Sequence, residues 1–121
     1  MANGDMILVV EDEPLIRMSL TDHLETEGFE VLEAWTGDGA KELLTEGNPI
    51  KALVTDVRMP GWMDGVSLAL WTRHNYPKIK IVIVSGATEG SVEQLGDEGL
   101  IVSKPYSHEI IVARIRDLLE N

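Results

Sequence analysis

The sequence predicts an α/β fold, a doubly wound parallel sheet with helices on both faces, and three observations carry that prediction. Short β-branched apolar runs recur along the 121 residues, mostly continuous rather than alternating, as in strands buried on both faces. Stretches with helical apolar spacing separate them. The alternation of strand and helix repeats about five times, which calls for right-handed crossovers between parallel strands.

Met6-Ile7-Leu8-Val9-Val10 is the first strand. Pro14 suits a helix's first turn, Ile16, Leu20 and Leu24 fall on one face after it, and Gly28 stops the helix. Asp12 is a candidate N-cap, and Glu13 a first-turn acid favoured by the helix dipole. A weaker run, Phe29 to Ala34, gives the second strand. Gly37-Asp38-Gly39 reads as turn chemistry, followed by a short helix on Ala40, Leu43 and Leu44 that closes at Gly47-Asn48-Pro49. Ala52-Leu53-Val54 is the third strand, and Asp64-Gly65 reads as a turn. Val66, Ala69 and Leu70 mark the next helix, ended by Asn75-Tyr76-Pro77. Ile79 to Val84, interrupted by Lys80, is the fourth strand. Residues 88–98 contain two glycines and only Val92 and Leu95 as apolar anchors, so a short or irregular helix is expected there. Leu100-Ile101-Val102 is the fifth strand, and Ile111, Ile115, Leu118 and Leu119 line the last helix. Without a repeat, linker or low-complexity segment, residues 1–121 read as one domain.

Composition removes whole classes of function. The formal net charge is −11, and such an acid excess opposes free-standing binding to nucleic acid or to an anionic membrane surface. There is no cysteine, which excludes disulfides, thiolate catalysis and Cys-type zinc sites. No apolar run approaches the roughly 20 residues of a membrane span, and the N-terminus lacks a signal peptide's basic region, so a cytoplasmic location is expected. The charge is uneven: residues 1–50 hold 2 basic and 12 acidic residues, residues 51–121 hold 8 and 9.

In a doubly wound sheet the ligand site lies beyond the carboxyl ends of the strands. Just past the first strand stand Glu11, Asp12 and Glu13; the third ends at Asp56, the fourth at Ser85 and the fifth at Lys104-Pro105. Carboxylates gathered this closely repel one another unless a proton or a cation relieves them. A hard divalent ion with oxygen ligands is the natural relief, and Mg²⁺ suits a site with few protein ligands and several waters. A carboxylate beside a metal, an ammonium and a hydroxyl is also a competent nucleophile toward phosphorus. The residue chemistry alone therefore points to an aspartyl-phosphate site.

The motifs V-V-E-D-E-P (Val9 to Pro14), T-D-V-R-M-P (Thr55 to Pro60), M-D-G (Met63 to Gly65), V-S-G-A (Val84 to Ala87) and S-K-P-Y (Ser103 to Tyr106) occur in one order over nearly the whole chain. Together they resemble the receiver domain of two-component response regulators. The resemblance implies a flavodoxin-like, five-stranded parallel sheet in the order 2-1-3-4-5. It implies that Asp56 accepts a phosphoryl group from a sensor histidine kinase or phosphotransfer protein in a Mg²⁺-dependent reaction. Asp12, Asp56 and the backbone carbonyl of Arg58 would hold the metal, with Glu11 assisting through water. Ser85 would grip the phosphoryl group and Lys104 would pair with it. Output would pass through protein contacts, and the acidic first helix would face a basic phosphodonor. By this resemblance the chain is a switch that catalyses only its own phosphorylation and dephosphorylation. It is either a stand-alone regulator or a receiver fragment of a larger regulator or hybrid kinase.

Some features depart from the family pattern. M-P-G-W-M-D-G is one residue longer than the usual loop, Ser85 and Lys104 stand unusually close at 19 positions, and Ile101 occupies a position that commonly carries a switch aromatic. The expectation is retained chemistry with altered signal transmission. An alternative is a small-molecule phosphatase with Asp56 as nucleophile, but its general acid would stand two residues on, where this chain has Arg58. Trp35 and Trp71 are expected to pack, Trp62 to lie near the site, and His23, His74 and His108 to be surface residues without metal-ligand spacing.

Overall fold

The computed structural model describes residues 4–57, 64–85, 100–103 and 107–120. It is an α/β fold built on one parallel sheet. The strands are β1 (Met6–Val10), β2 (Glu30–Ala34), β3 (Ile50–Asp56), β4 (Lys80–Ser85) and β5 (Leu100–Ser103), side by side in the order β2-β1-β3-β4-β5. The helices are α1 (Pro14–Thr26), α2 (Gly37–Thr45), α3 (Gly65–Asn75) and α4 (His108–Glu120). The short helix expected within 88–98 lies outside the described residues.

Alternation along β1 builds the two layers. Ile7 and Val9 point to one face and join Leu20 and Leu24 of α1 with Ile111, Val112 and Ile115 of α4. Leu8 and Val10 point to the other and join Ala40 and Leu44 of α2 with Leu68 of α3. Val57, Val66, Ala69, Ile81 and Ile83 extend that second layer toward β4. Both faces of β1 and β3 are thus sealed, which explains their unbroken apolar runs.

Helix boundaries follow from capping, and here three sequence expectations need correction. Glu13, not Asp12, is the N-cap of α1, its carboxylate accepting from the Leu15 N–H at 3.5 Å. This leaves the Asp12 side chain free of any capping role. Gly37-Asp38-Gly39 is the first turn of α2, because the Thr36 hydroxyl accepts from the Gly39 N–H at 2.9 Å and starts the helix early. Asp64 likewise caps α3, accepting from the Ser67 N–H at 2.8 Å. Asp64→Ala is expected to cost about 1 kcal/mol in chemical unfolding, with an unchanged m-value. Gly28 and Gly47 follow α1 and α2 at φ +100° and +83°, the left-handed backbone that stops a helix.

One further expectation fails. Trp35 is 62% exposed rather than packed, because it stands in the connection after β2, beyond the end of the core. Trp71 does pack, against the α2–α3 layer. α1 and α4 lie side by side and bring the partly exposed rings of His23 and His108 to 5.2 Å between centroids. Among the described residues no helix is long and apolar enough to cross a membrane.

Candidate functional site

Strand register creates the acidic site. Val10 of β1 pairs with Thr55 of β3, so the next residue on each strand, Glu11 and Asp56, leaves the sheet beside the other. Both are 7% exposed. Asp56 in turn pairs with Val84, and the Val57 N–H continues that ladder to the Val84 carbonyl at 3.1 Å. The Thr55 hydroxyl donates to the Asp56 carbonyl at 3.0 Å. Ser85 follows Val84 at the same end of the sheet, and the backbone of Ser103 pairs with it in β5. Lys104 would come next, but Lys104, Arg58, Trp62 and Tyr106 all lie outside the described residues, as does the side chain of Ser85.

The turn after β1 is held tightly. The Glu11 N–H donates to the Ala34 carbonyl at 3.0 Å, extending the β1–β2 ladder by one residue. The Glu11 carboxylate accepts from the Glu13 N–H at 2.9 Å. Arg17 of α1 donates to the Glu11 carbonyl at 2.9 Å. Asp12 is exposed at the rim.

The electrostatics follow from that geometry. Burial pushes the Glu11 carboxyl up to about 7; the Glu13 N–H opposes the rise, whereas a hydrogen bond with the Asp12 side chain and the charges of Asp56 and Asp12 add to it. Three carboxylates therefore feel one another at the carboxyl edge of the sheet. Among the described residues, no three His, Cys, Asp or Glu side chains converge into a ready-made metal cage. An oxygen-only donor set of neighbouring carboxylates, with few direct side-chain ligands, fits a hard divalent cation that keeps several waters.

This raised carboxyl has a measurable consequence in metal-free protein. Folded Glu11 holds a proton up to about pH 7, whereas in the unfolded chain the carboxyl titrates near its ordinary 4.5. Its contribution is therefore full below pH 4.5 and is lost as pH rises to about 7, on the order of 3 kcal/mol. Chemical unfolding in EDTA is expected to show this slope in wild type and to lose it in Glu11→Gln. A slope unchanged by the substitution would place the titrating group elsewhere.

Two residues of this site escape a reading from sequence. Gly65 opens α3 directly against the chain end of β3: its N–H donates to the Val57 carbonyl at 2.8 Å, and a Cβ there would collide with the Asp56 carbonyl oxygen and lie 2.8 Å from the Val57 Cα. A sequence shows the glycine but not the backbone pressed against it. Arg17 reads as an ordinary helix cation, and no local pattern connects it to Glu11, six residues earlier.

Comparisons with known proteins agree with this architecture. Residues 7–116 match the family model of the response regulator receiver domain. The chain is similar to the sensor kinase CckA of Brucella abortus, with 34% identity over 118 residues, covering 94% of this chain and 12% of that protein. It is also similar to the transcriptional regulatory protein SrrA of Staphylococcus aureus, with 37% identity over 116 residues, covering 93% of this chain and 47% of that protein. It thus spans less than half the length of these curated relatives. Among solved structures, a response regulator receiver protein from Sinorhizobium medicae superposes with a TM-score of 0.90 at 27% identity, over 99% of this chain and 98% of that one.

Proposed function

The chain belongs to the response regulator receiver domain family, and from that premise we propose that Asp56 is its phosphoryl acceptor. The observation that carries the reading is the burial of Asp56 beside Glu11 where β3 and β1 leave the sheet. Asp12, Asp56 and the Arg58 backbone carbonyl would hold Mg²⁺, with Glu11 assisting through water. When bound, the ion neutralises charge on the phosphoryl oxygens. An Asp56 carboxylate oxygen attacks phosphorus in line as the P–N bond to a donor imidazole breaks. The bond's electron pair stays on the ring nitrogen, which takes up a proton from solvent. The Ser85 hydroxyl donates to a phosphoryl oxygen and the Lys104 ammonium pairs with another. Attack of water on the acyl phosphate later returns phosphate and the free carboxylate.

In this reading the whole chain is one receiver domain. It is a cytoplasmic switch whose chemistry is confined to its own phosphorylation state. The phosphodonor is a sensor histidine kinase or phosphotransfer protein, and output passes by protein contact without nucleic acid. Leu15, Ile16 and Met18 stand exposed on α1 amid an acidic surface, which suits a donor with an apolar centre and basic rim. Its association should weaken with salt.

Incubation with acetyl phosphate tests the reading. Intact mass should show one added phosphoryl group in Mg²⁺ and none in EDTA. Uptake in EDTA at the same rate would overturn the metal assignment, and an unmodified protein in Mg²⁺ would overturn the acceptor function.

A further inference from the structure

We infer that Arg17 is a positioning residue for the acidic turn: its guanidinium fixes the peptide plane joining Glu11 to Asp12 and thereby sets where those carboxylates stand toward a divalent cation. The inference rests on the reading above that this turn helps to hold Mg²⁺.

Arg17 lies one turn into α1, its backbone N–H donating to the Glu13 carbonyl at 2.9 Å. Its side chain is only 14% exposed, and the guanidinium is engaged on three sides. Nη1 donates to the Glu11 carbonyl at 2.9 Å, Nε stands 3.3 Å from a Glu33 carboxylate oxygen, and the central carbon lies 5.5 Å from the centre of the Trp35 ring. These partners come from three separate segments: the turn after β1, β2 itself and the connection that follows β2. Arg17 is the tie between them.

The effect on Glu11 is specific. Its N–H is fixed by Ala34, its carboxylate accepts from Glu13, and its carbonyl is fixed by Arg17. The Glu11 N–H anchors the peptide before this residue, and the carbonyl held by Arg17 belongs to the Glu11–Asp12 peptide itself, so the guanidinium sets the orientation of that plane, which directs the Asp12 side chain. Without the guanidinium, water would satisfy the carbonyl equally well in several orientations of the peptide.

A plain ion pair does not account for the arrangement. Glu33 is partly exposed, and a pair of that kind contributes little. It also requires no bond to Glu11. The planar fork of arginine serves a carbonyl, a carboxylate and an aromatic face together, which the single ammonium of lysine does not.

The two accounts differ in sign. Coulomb's law alone says that removing a cation next to a divalent-cation site tightens metal binding. Positioning says that removal weakens it, because the turn must then be ordered at the cost of binding energy. Outer partners of metal ligands typically matter by about 10- to 100-fold.

Calorimetric titration of the full chain with Mg²⁺ at fixed ionic strength separates them. Arg17→Ala is expected to bind about 10-fold more weakly, and Arg17→Lys nearly as weakly although it keeps the charge. Glu33→Gln should stay within about twofold of wild type, since it spares the bond to Glu11. Affinity in Arg17→Ala equal to or above wild type would overturn the proposal, as would full rescue by lysine or an equal loss in Glu33→Gln. If Arg17→Ala fails to fold, Arg17→Lys decides on its own: wild-type affinity refutes positioning and a loss near 10-fold supports it. Wild-type protein that binds no Mg²⁺ would instead defeat the metal part of the proposed function, before any substitution is compared.

Discussion

Asp56→Asn is expected to abolish phosphoryl uptake from acetyl phosphate, a loss of at least about 1,000-fold in rate that leaves no modified species in the mass spectrum. The amide has nearly the shape of the carboxylate but neither its charge nor its nucleophilicity, so the fold should survive. Survival can be checked at a neighbouring atom. The Asp56 charge is one of the causes holding the Glu11 carboxyl up near 7, although burial is the first of them. In Asp56→Asn the Glu11 carboxyl should therefore titrate lower than in wild type and still above 4.5, as followed by carbon NMR of labelled glutamate. Unchanged titration of Glu11 would mean that the two carboxylates are not neighbours in solution.

Gly65→Ala is the second large effect, and its cause is space rather than backbone freedom. A Cβ at this position meets the Asp56 carbonyl carbon at 2.7 Å and the Val57 Cα at 2.8 Å, and both obstacles are backbone. Neither can rotate away as a side chain does, so α3 must shift relative to β3. The loss is expected to be about 3 kcal/mol or more, lowering the melting temperature by about 10 °C or more. Any folded fraction should phosphorylate slowly, because the displaced segment carries Asp56. Wild-type stability in this variant would show that α3 and β3 do not approach as closely as described.

Much of the fold was legible because burial on both faces leaves an unmistakable pattern. Ile7 to Val10 and Leu53-Val54 are continuous apolar runs, and both lie in strands covered by helices on either side. Strand edges were less legible. The third strand extends from Ile50 to Asp56, well past its apolar centre, since ladder pairing recruits Thr55 and Asp56 regardless of polarity and Lys51 sits at the register shift between Ile50 and Ala52. Capping misled the reading three times, the Asp64-Gly65 turn that caps α3 among them. Glycines and an aspartate after Thr36 look like a turn, yet the threonine hydroxyl organises them into a helix. Glu13 rather than Asp12 caps α1, although the shorter side chain is usually preferred.

At the site, chain order at the strand ends was enough to nominate Glu11, Asp12, Asp56, Ser85 and Lys104. What the sequence lacked were contacts made across segments. Arg17 reaches the Glu11 carbonyl only because α1 folds back beside β2, and Gly65 matters only because β3 ends against it. Trp35 looked like core material, but its position beyond the last residue of β2 leaves it outside both apolar layers. Position in space, not residue type, decided all three.

The central claim is that one carboxylate, that of Asp56, carries the phosphoryl group. Hydride reduction of the acetyl-phosphate-treated protein converts an aspartyl phosphate to homoserine, and peptide mass mapping then locates it. The account predicts homoserine at position 56 alone, in Mg²⁺ and not in EDTA. Reduction at Asp12, or phosphate found on a histidine or serine with Asp56 intact, would contradict it.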